Sequence, residues 1–353
     1  MSTSPTAVRF GVIGLNHPHI FEMTELLLHA GAEMVGFFAV EDDLAAAYVQ
    51  RFAAARRLRR EAEILEDASI QLVASAAISD ERGPLGIRAM RHGKDFVSDK
   101  PAFTSLDVLE DARRVQRQTG RIYSIDFGER LRNRAMVKAA ELVAAGAIGR
   151  VLQTIGMGPH RLNAHTRPDW YPFSRERNGG ILTDIGSHQA DHFLFFTGST
   201  TAEVVASQVG NLAHPERPEF EDFGDALVRG NGGTGYFRVD WFTPDGLEAW
   251  GDGRLTILGT EGFIEVRKNV DIAGRPGTGH VFLVDQRSTQ YVDCAQVELP
   301  HFQRLLDDVR HRTETSMPQA HAFLAAELAL RAELQARRIT ADMPSRRSTR
   351  AEA

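Results

Sequence analysis

The chain has 353 residues, 42% of them apolar and 25% charged. This is an ordinary globular composition, long enough for two domains, and it excludes a disordered or collagen-like chain. No apolar run approaches the ~18–20 residues that cross a bilayer, so no transmembrane helix is expected. A net charge of −6, from 41 basic and 47 acidic residues, argues against nucleic acid or an anionic membrane surface as a partner.

The N-terminus lacks the basic-then-apolar layout of a secretory signal. The single cysteine, Cys294, excludes an intrachain disulfide and a Cys-based zinc cluster, so the expected compartment is a reducing cytoplasm.

In chain order, Val8–Ile13 reads as a buried strand, Pro18–Ala30 as a helix stopped by Gly31, and Met34–Val40 as a second strand. Leu44–Arg56 is an alanine-rich helix, Ile70–Ala77 a strand, Gly86–His92 part of a helix, and Phe96–Ser98 a short strand. Ser105 caps a helix that runs to Thr119, Gly120 stops it, and Ile122–Ile125 is another strand. This alternation predicts a doubly wound parallel sheet of Rossmann type over residues 1–127.

From residue 128 to 340 the pattern predicts an α+β domain with a large, mostly antiparallel open sheet. Its strand candidates are Val151–Met157, Glu203–Val209, Ala226–Arg229, Tyr236–Phe242, Leu255–Leu258 and Phe263–Val266. Helices are expected at Ile181–Phe196, His301–Arg310 and Gln319–Ala336, and residues 341–353 read as a polar tail.

The first strand–turn–helix reads Gly11-Val12-Ile13-Gly14-Leu15-Asn16-His17-Pro18-His19. A dinucleotide turn normally reads G-x-G-x-x-G. Aligned on Gly14, Asn16 takes the second glycine position and His19 the third. Asn tolerates the left-handed backbone of a tight turn, and the helix start can still offer amides to a pyrophosphate. At the end of the second strand stand Glu41, Asp42 and Asp43. A carboxylate there can accept bonds from both ribose hydroxyls of NAD, with Glu41 the first choice and Asp42 the second. Acid at this position would repel a 2′-phosphate, so NAD is expected over NADP.

Two later motifs carry more weight. Phe96-Val97-Ser98-Asp99-Lys100-Pro101 ends one strand, and Asn178-Gly179-Gly180-Ile181-Leu182-Thr183-Asp184-Ile185-Gly186-Ser187-His188 opens the long helix of the second domain. Together they closely resemble the Gfo/Idh/MocA family, named for glucose–fructose oxidoreductase and inositol dehydrogenase. That family has E-K-P and G-G-x-x-x-D-x-G-x-H at these places. The likeness runs from Arg9 to about Ala336. Asp99 replaces the usual Glu, and Ser79-Asp80 stands where the family often has T-P-x-x-H. Asn16, His17 and His19 mark a subgroup.

The resemblance implies a nicotinamide dinucleotide held by Gly11, Gly14, Asn16, His17, His19, Glu41, Asp42, Ser79, Asp99, Lys100 and Pro101. It further implies hydride transfer at a secondary alcohol of a sugar, sugar acid or cyclitol. Lys100 would stabilise the developing alkoxide, His188 would accept the hydroxyl proton, and Asp184, one helical turn before it, would assist. His160, Arg161 and Trp170 join Lys100, Asp184 and His188 as substrate candidates, with His165, Arg167 and Trp241 as weaker ones.

His192 extends the row Asp184, His188, His192, but three ligands on one straight helix would span ~12 Å, so no metal is expected. Exposed apolar sheet faces rarely stay free, so the open sheet is expected to bury one face against another subunit, and the resemblance implies a homodimer or homotetramer. Two alternatives share the fold: a non-catalytic NAD- or sugar-binding regulator, and an enzyme using tightly bound NAD transiently, in glycoside oxidation–elimination or transhydrogenation.

Overall fold

The computed structural model describes residues 7–168 and 173–340. Its first part runs β1 (Arg9–Ile13), α1 (His19–His29), β2 (Glu33–Phe38), α2 (Asp42–Arg51), α3 (Ala62–Leu65), β3 (Leu72–Ser75), α4 (Ser79–Arg91), β4 (Asp95–Asp99), α5 (Leu106–Thr119) and β5 (Tyr123–Asp126). These strands form a five-stranded sheet in the order β2-β1-β3-β4-β5, parallel throughout. Every residue of β3, β4 and β5 is buried, including Asp95, Ser98 and Asp99 of β4 and Asp126 of β5. The strand order reverses at β1 and β3, and ligands of open α/β sheets bind in the crevice beyond the strand ends at such a point.

The chain continues through α6 (Gly128–Leu131), α7 (Arg134–Ala144), β6 (Val151–Pro159), α8 (Arg175–Asn178), α9 (Ile181–Asp184), α10 (Gly186–Thr197), β7 (Ala202–Asn211) and β8 (Phe223–Gly230). Then come β9 (Thr234–Asp240), β10 (Arg254–Gly259), β11 (Gly262–Arg267), β12 (His280–Asp285), β13 (Thr289–Val292), α11 (His301–His311), α12 (Gln319–Leu334) and β14 (Arg337–Thr340). The nine-stranded sheet has the order β13-β12-β11-β10-β6-β9-β8-β7-β14. It is antiparallel except at β6–β9 and β7–β14.

Helix α10 is buried almost all round, against β6 on one side and α12 on the other. Gly156 and Gly158 of β6 permit the approach: a Cβ on Gly156 would lie 2.2 Å from Gln189 Oε1.

Several elements differ from the sequence patterns, each for a local reason. The helix expected over 44–56 stops at Arg51, because the following segment runs along the edge of β2, with Phe37 N–H to Arg56 O at 2.9 Å and Leu58 N–H to Phe37 O at 2.8 Å. The helix expected over 181–196 is interrupted at Ile185. Helix α7 and strands β12, β13 and β14 are not anticipated. After α12 the chain turns at Gln335 and joins the sheet edge beside β7. Helix α11 packs back beside the five-stranded sheet, where Phe302, Leu305, Leu306 and Val309 share a core with Val8, Phe10 and Leu27. Among the described residues no helix is long and apolar enough to cross a membrane.

Candidate active site

The turn after β1 is built on Gly14, whose φ is +81° and whose Cβ would lie 2.5 Å from Ala77 Cβ. Only glycine satisfies both constraints. Gly11 lies inside β1, where a Cβ would meet Ile64 Cγ2 at 2.5 Å. Asn16 Nδ2 donates to Glu41 Oε1 at 2.8 Å, tying the turn to the end of β2. Asp42 is exposed and pairs with Arg57 at 2.7 Å. Arg57 is a cation at the end of β2 that the sequence did not single out; it also donates to Ala39 O at 3.0 Å.

At the end of β4, Asp99 is fully buried and gathers four groups. His19 Nδ1 lies 2.8 Å away, His17 Nδ1 3.2 Å, Arg82 Nη2 3.1 Å, and the Lys100 N–H donates at 2.8 Å. Burial alone would raise this carboxyl, but His19, Arg82 and His17 outweigh it and hold Asp99 well below the usual carboxylate range. Arg82, also fully buried, donates to Ala77 O, Lys100 O and Pro101 O and so fixes the cis Lys100–Pro101 segment. Ser79 is buried at the first turn of α4.

His17, His19 and Asp99 bring ligand-type atoms within 4.8 Å of one another, a spacing a metal could use. The Arg82 guanidinium already neutralises that carboxylate. The Asp184, His188, His192 row forms no such group among the described residues.

Lys100 reaches from the end of the five-stranded sheet to the end of α9. Its Nζ donates to Asp184 Oδ1 at 2.7 Å, and the lysine is only 5% exposed. Asp184 ends α9, whose start is set by Gly179 and Gly180 at φ +89° and +91°. Side-chain oxygens of Glu221 and Glu333 accept the Ile181 and Leu182 N–H groups at 3.0 Å each, so the first turn of α9 is capped by two acidic side chains from distant segments. Burial would raise the Asp184 carboxyl, and the Lys100 ammonium overrides this and holds it low.

One turn on, His188 is 3% exposed and its Nδ1 is buried without a partner. Burial, reinforced by the Lys100 charge, pushes its pKa well below 6.5 despite Glu129, so the ring is neutral near pH 7. His160 lies between Trp241 and Trp250 with Nδ1 on Gly158 O at 3.1 Å, and burial pushes its pKa down to about 4. The charges of Lys100 and Asp184 both act on it.

The other expected residues divide. Arg161 turns away, donating to Pro244 O at 2.8 Å and Leu247 O at 2.5 Å. Trp170 lies outside the described residues. Trp241 lines one small cavity with Asp184, and the Arg167 guanidinium stacks over its ring at 4.7 Å. His165 sits in the short 3-10 turn Ala164–Thr166. His192 is sealed, its ring nitrogens unpartnered, stacked 6.5 Å from His188.

The sequence missed the buried Glu129–Lys268 ion pair, whose carboxylate also feels His188, His160 and His192. These residues are 139 positions apart, and no local pattern links them.

The GFO/IDH/MocA C-terminal domain model matches residues 136–265. A protein of Erwinia carotovora atroseptica, its crystal structure described as that of an oxidoreductase, is 46% identical, with a TM-score of 0.91 over 94% of this chain and 99% of that one. The scyllo-inositol 2-dehydrogenase (NAD(+)) of Bacillus subtilis is 26% identical over 249 residues, 68% of each chain. The 1,5-anhydro-D-fructose reductase of Ensifer adhaerens is 26% identical over 56% of this chain and 59% of its own. Taken with the parallel sheet, the Asp99-Lys100-Pro101 strand end and the Gly-Gly helix start, these matches show that the chain belongs to the Gfo/Idh/MocA family of oxidoreductases.

Proposed function

We propose that this protein is a dehydrogenase that moves hydride between a secondary alcohol of a sugar, sugar acid or cyclitol and NAD. The observation that carries the reading is the Lys100–Asp184 pair at 2.7 Å, which joins the end of β4 to the end of α9, just before the helix α10 that bears His188. The residues at the ends of β1, β2 and β4 are of the types that hold a dinucleotide. Glu41, oriented by Asn16, stands where a ribose would lie. The neighbouring Val40 side chain is 77% exposed, an apolar surface for a base. Gly14, His17 and His19 form the turn between them, and Asp99 holds the two imidazoles.

Bound there, the nicotinamide would supply the hydride acceptor. Asp184 holds the Lys100 ammonium in place. Lys100 donates to the substrate oxygen and stabilises its negative charge as the C–H bond breaks. His188 takes the hydroxyl proton at Nε2, since Nδ1 is sealed in the wall. His160, between its two tryptophans, faces the same space as a substrate contact. Glu41 favours NAD over NADP through repulsion of a 2′-phosphate, although Arg57 stands close by.

The sheet face opposite α10 carries Ile155, Leu227, Tyr236, Leu258 and Phe263, all exposed and adjacent in register. A second copy of the chain is the partner that such a face calls for. The buried free Cys294 suits a reducing cytoplasm.

The test is a panel of polyols, sugars and sugar acids with NAD⁺ and NADP⁺, read as absorbance of the reduced cofactor. Turnover is expected with NAD⁺ on at least one secondary alcohol, and Lys100→Ala should lower kcat by about 100-fold or more while leaving cofactor affinity largely unchanged. Wild-type turnover in that variant overturns the reading.

A further inference from the structure

A cavity of about 420 Å³ lies among α6, α7, the end of α10, α11 and α12. None of Lys100, His160, Asp184 and His188 lines it. Its volume falls within the range of small-molecule sites. The walls are apolar, made chiefly by Leu131, Met136, Leu194, Phe195, Met317 and Leu324.

Its charged groups are of one sign, and Ser199, Thr200, Thr315 and Ser316 add hydroxyls to the wall. Arg130, Arg304, His301 and His321 line it, and no carboxylate side chain does. Arg130 is already neutralised by a two-pronged bond to Asp191, at 2.6 and 2.7 Å, and His321 donates to the same carboxylate at 2.8 Å. Arg304 differs: it is exposed, and its guanidinium has no ion-pair partner among the described residues. His301 is 4% exposed, and neither of its ring nitrogens has a partner. Burial lowers its pKa to about 3, so the ring is neutral and offers one donor and one acceptor. An apolar chamber with an uncompensated cation and an unsatisfied imidazole has the makings of a site for a molecule with an apolar body and an anionic head.

We propose that this cavity is a second small-molecule site that takes an amphiphilic carboxylate, its apolar body against Leu131, Met136, Phe195 and Leu324 and its carboxylate on Arg304 and His301. The site stands apart from the hydride-transfer crevice and does not depend on that reading.

Isothermal titration of the full chain with 4-phenylbutyrate, with and without saturating NAD, tests this. Saturable one-to-one binding is expected, unaffected by NAD. Arg304→Glu should weaken it about ten-fold or more, and the uncharged 4-phenyl-1-butanol should bind about ten-fold more weakly than the acid. Leu324→Trp should abolish binding by filling the chamber; Leu324 is half-buried, so a larger side chain can be tolerated. Thermal melts confirm that each variant is folded, and Arg304→Glu, at an exposed position, stands as the independent probe.

Absence of saturable binding, competition by NAD, or undiminished affinity in both variants overturns the proposal. So does a change of sedimentation state in these variants without ligand binding, which would make the cavity a contact between subunits.

Discussion

Lys100 is a nearly buried cation, and a buried charge persists only when it is paired. Asp184 supplies that partner at 2.7 Å, so the ammonium stays in place beside a neutral imidazole. The pH dependence follows from His188. A base must be unprotonated to accept a proton, and burial holds the folded-state pKa of this ring well below 6.5. Activity limited by His188 should therefore stay level as pH falls through 6.5 and decline only at lower pH. A kcat–pH profile with an acid limb centred at or above 6.5 would exclude His188 as that base.

Asp99 presents a second residue-scale case. It compensates Arg82 and orders both turn histidines from a fully buried position. Asp99→Asn keeps the shape and removes the charge, leaving the Arg82 guanidinium buried without its partner. The expected loss is about 3–5 kcal/mol, measurable by urea unfolding.

At the scale of the element, the start of α9 decides where Asp184 and His188 point. Gly180 has φ +91°, and a Cβ there would sit 2.3 Å from the Glu333 carboxyl carbon. Gly180→Ala should cost about 2 kcal/mol or more and lower activity together with thermal stability, since both the backbone and the cap must shift.

The cap is itself sensitive to pH. Burial, reinforced by the Glu221 charge, raises the Glu333 pKa to about 8. A carboxyl raised in the folded state contributes stability that is complete below its unfolded pKa and is lost as pH rises through the folded value. Stability should thus fall between about pH 4.5 and 8 on this account. Glu333→Gln, which keeps an oxygen for the Leu182 N–H, should flatten that slope in melts at pH 6 and pH 9.

Across the whole molecule, two sheets are tied by segments distant in sequence. Helix α11 completes the core under the parallel sheet, and α12 lies against both α5 and α10. The site therefore depends on the packing of both halves. The uncovered face of the nine-stranded sheet belongs to this scale as well. Leu258 and Phe263 face each other across β10–β11, and Ile155, Tyr236 and Leu227 continue the stripe. Leu258→Arg should shift sedimentation toward the monomer with little change in the fold, because the side chain is 42% exposed. An unchanged sedimentation coefficient would remove this face as the contact between copies.

The doubly wound sheet and the Lys100-Pro101 strand end were legible in the sequence, whereas the single helix expected to carry both Asp184 and His188 is broken at Ile185. Parallel strands covered on both faces carry apolar residues at their centres, and these stand out between turn signals. The partners were not legible. Arg82 on Asp99, Glu129 on Lys268, and Glu333 on the start of α9 are long-range pairings. The same holds for the contacts of two other singled-out residues, Gly11 against Ile64 and Arg161 on the carbonyls of Pro244 and Leu247.

Local pattern determined the elements and the residue types brought to the crevice, because periodicity and turn chemistry act over a few residues. Only the tertiary structure decided which charges are buried, what compensates them and which proton each group holds. Desolvation and Coulomb interactions depend on neighbours in space, and those neighbours come from anywhere along the chain.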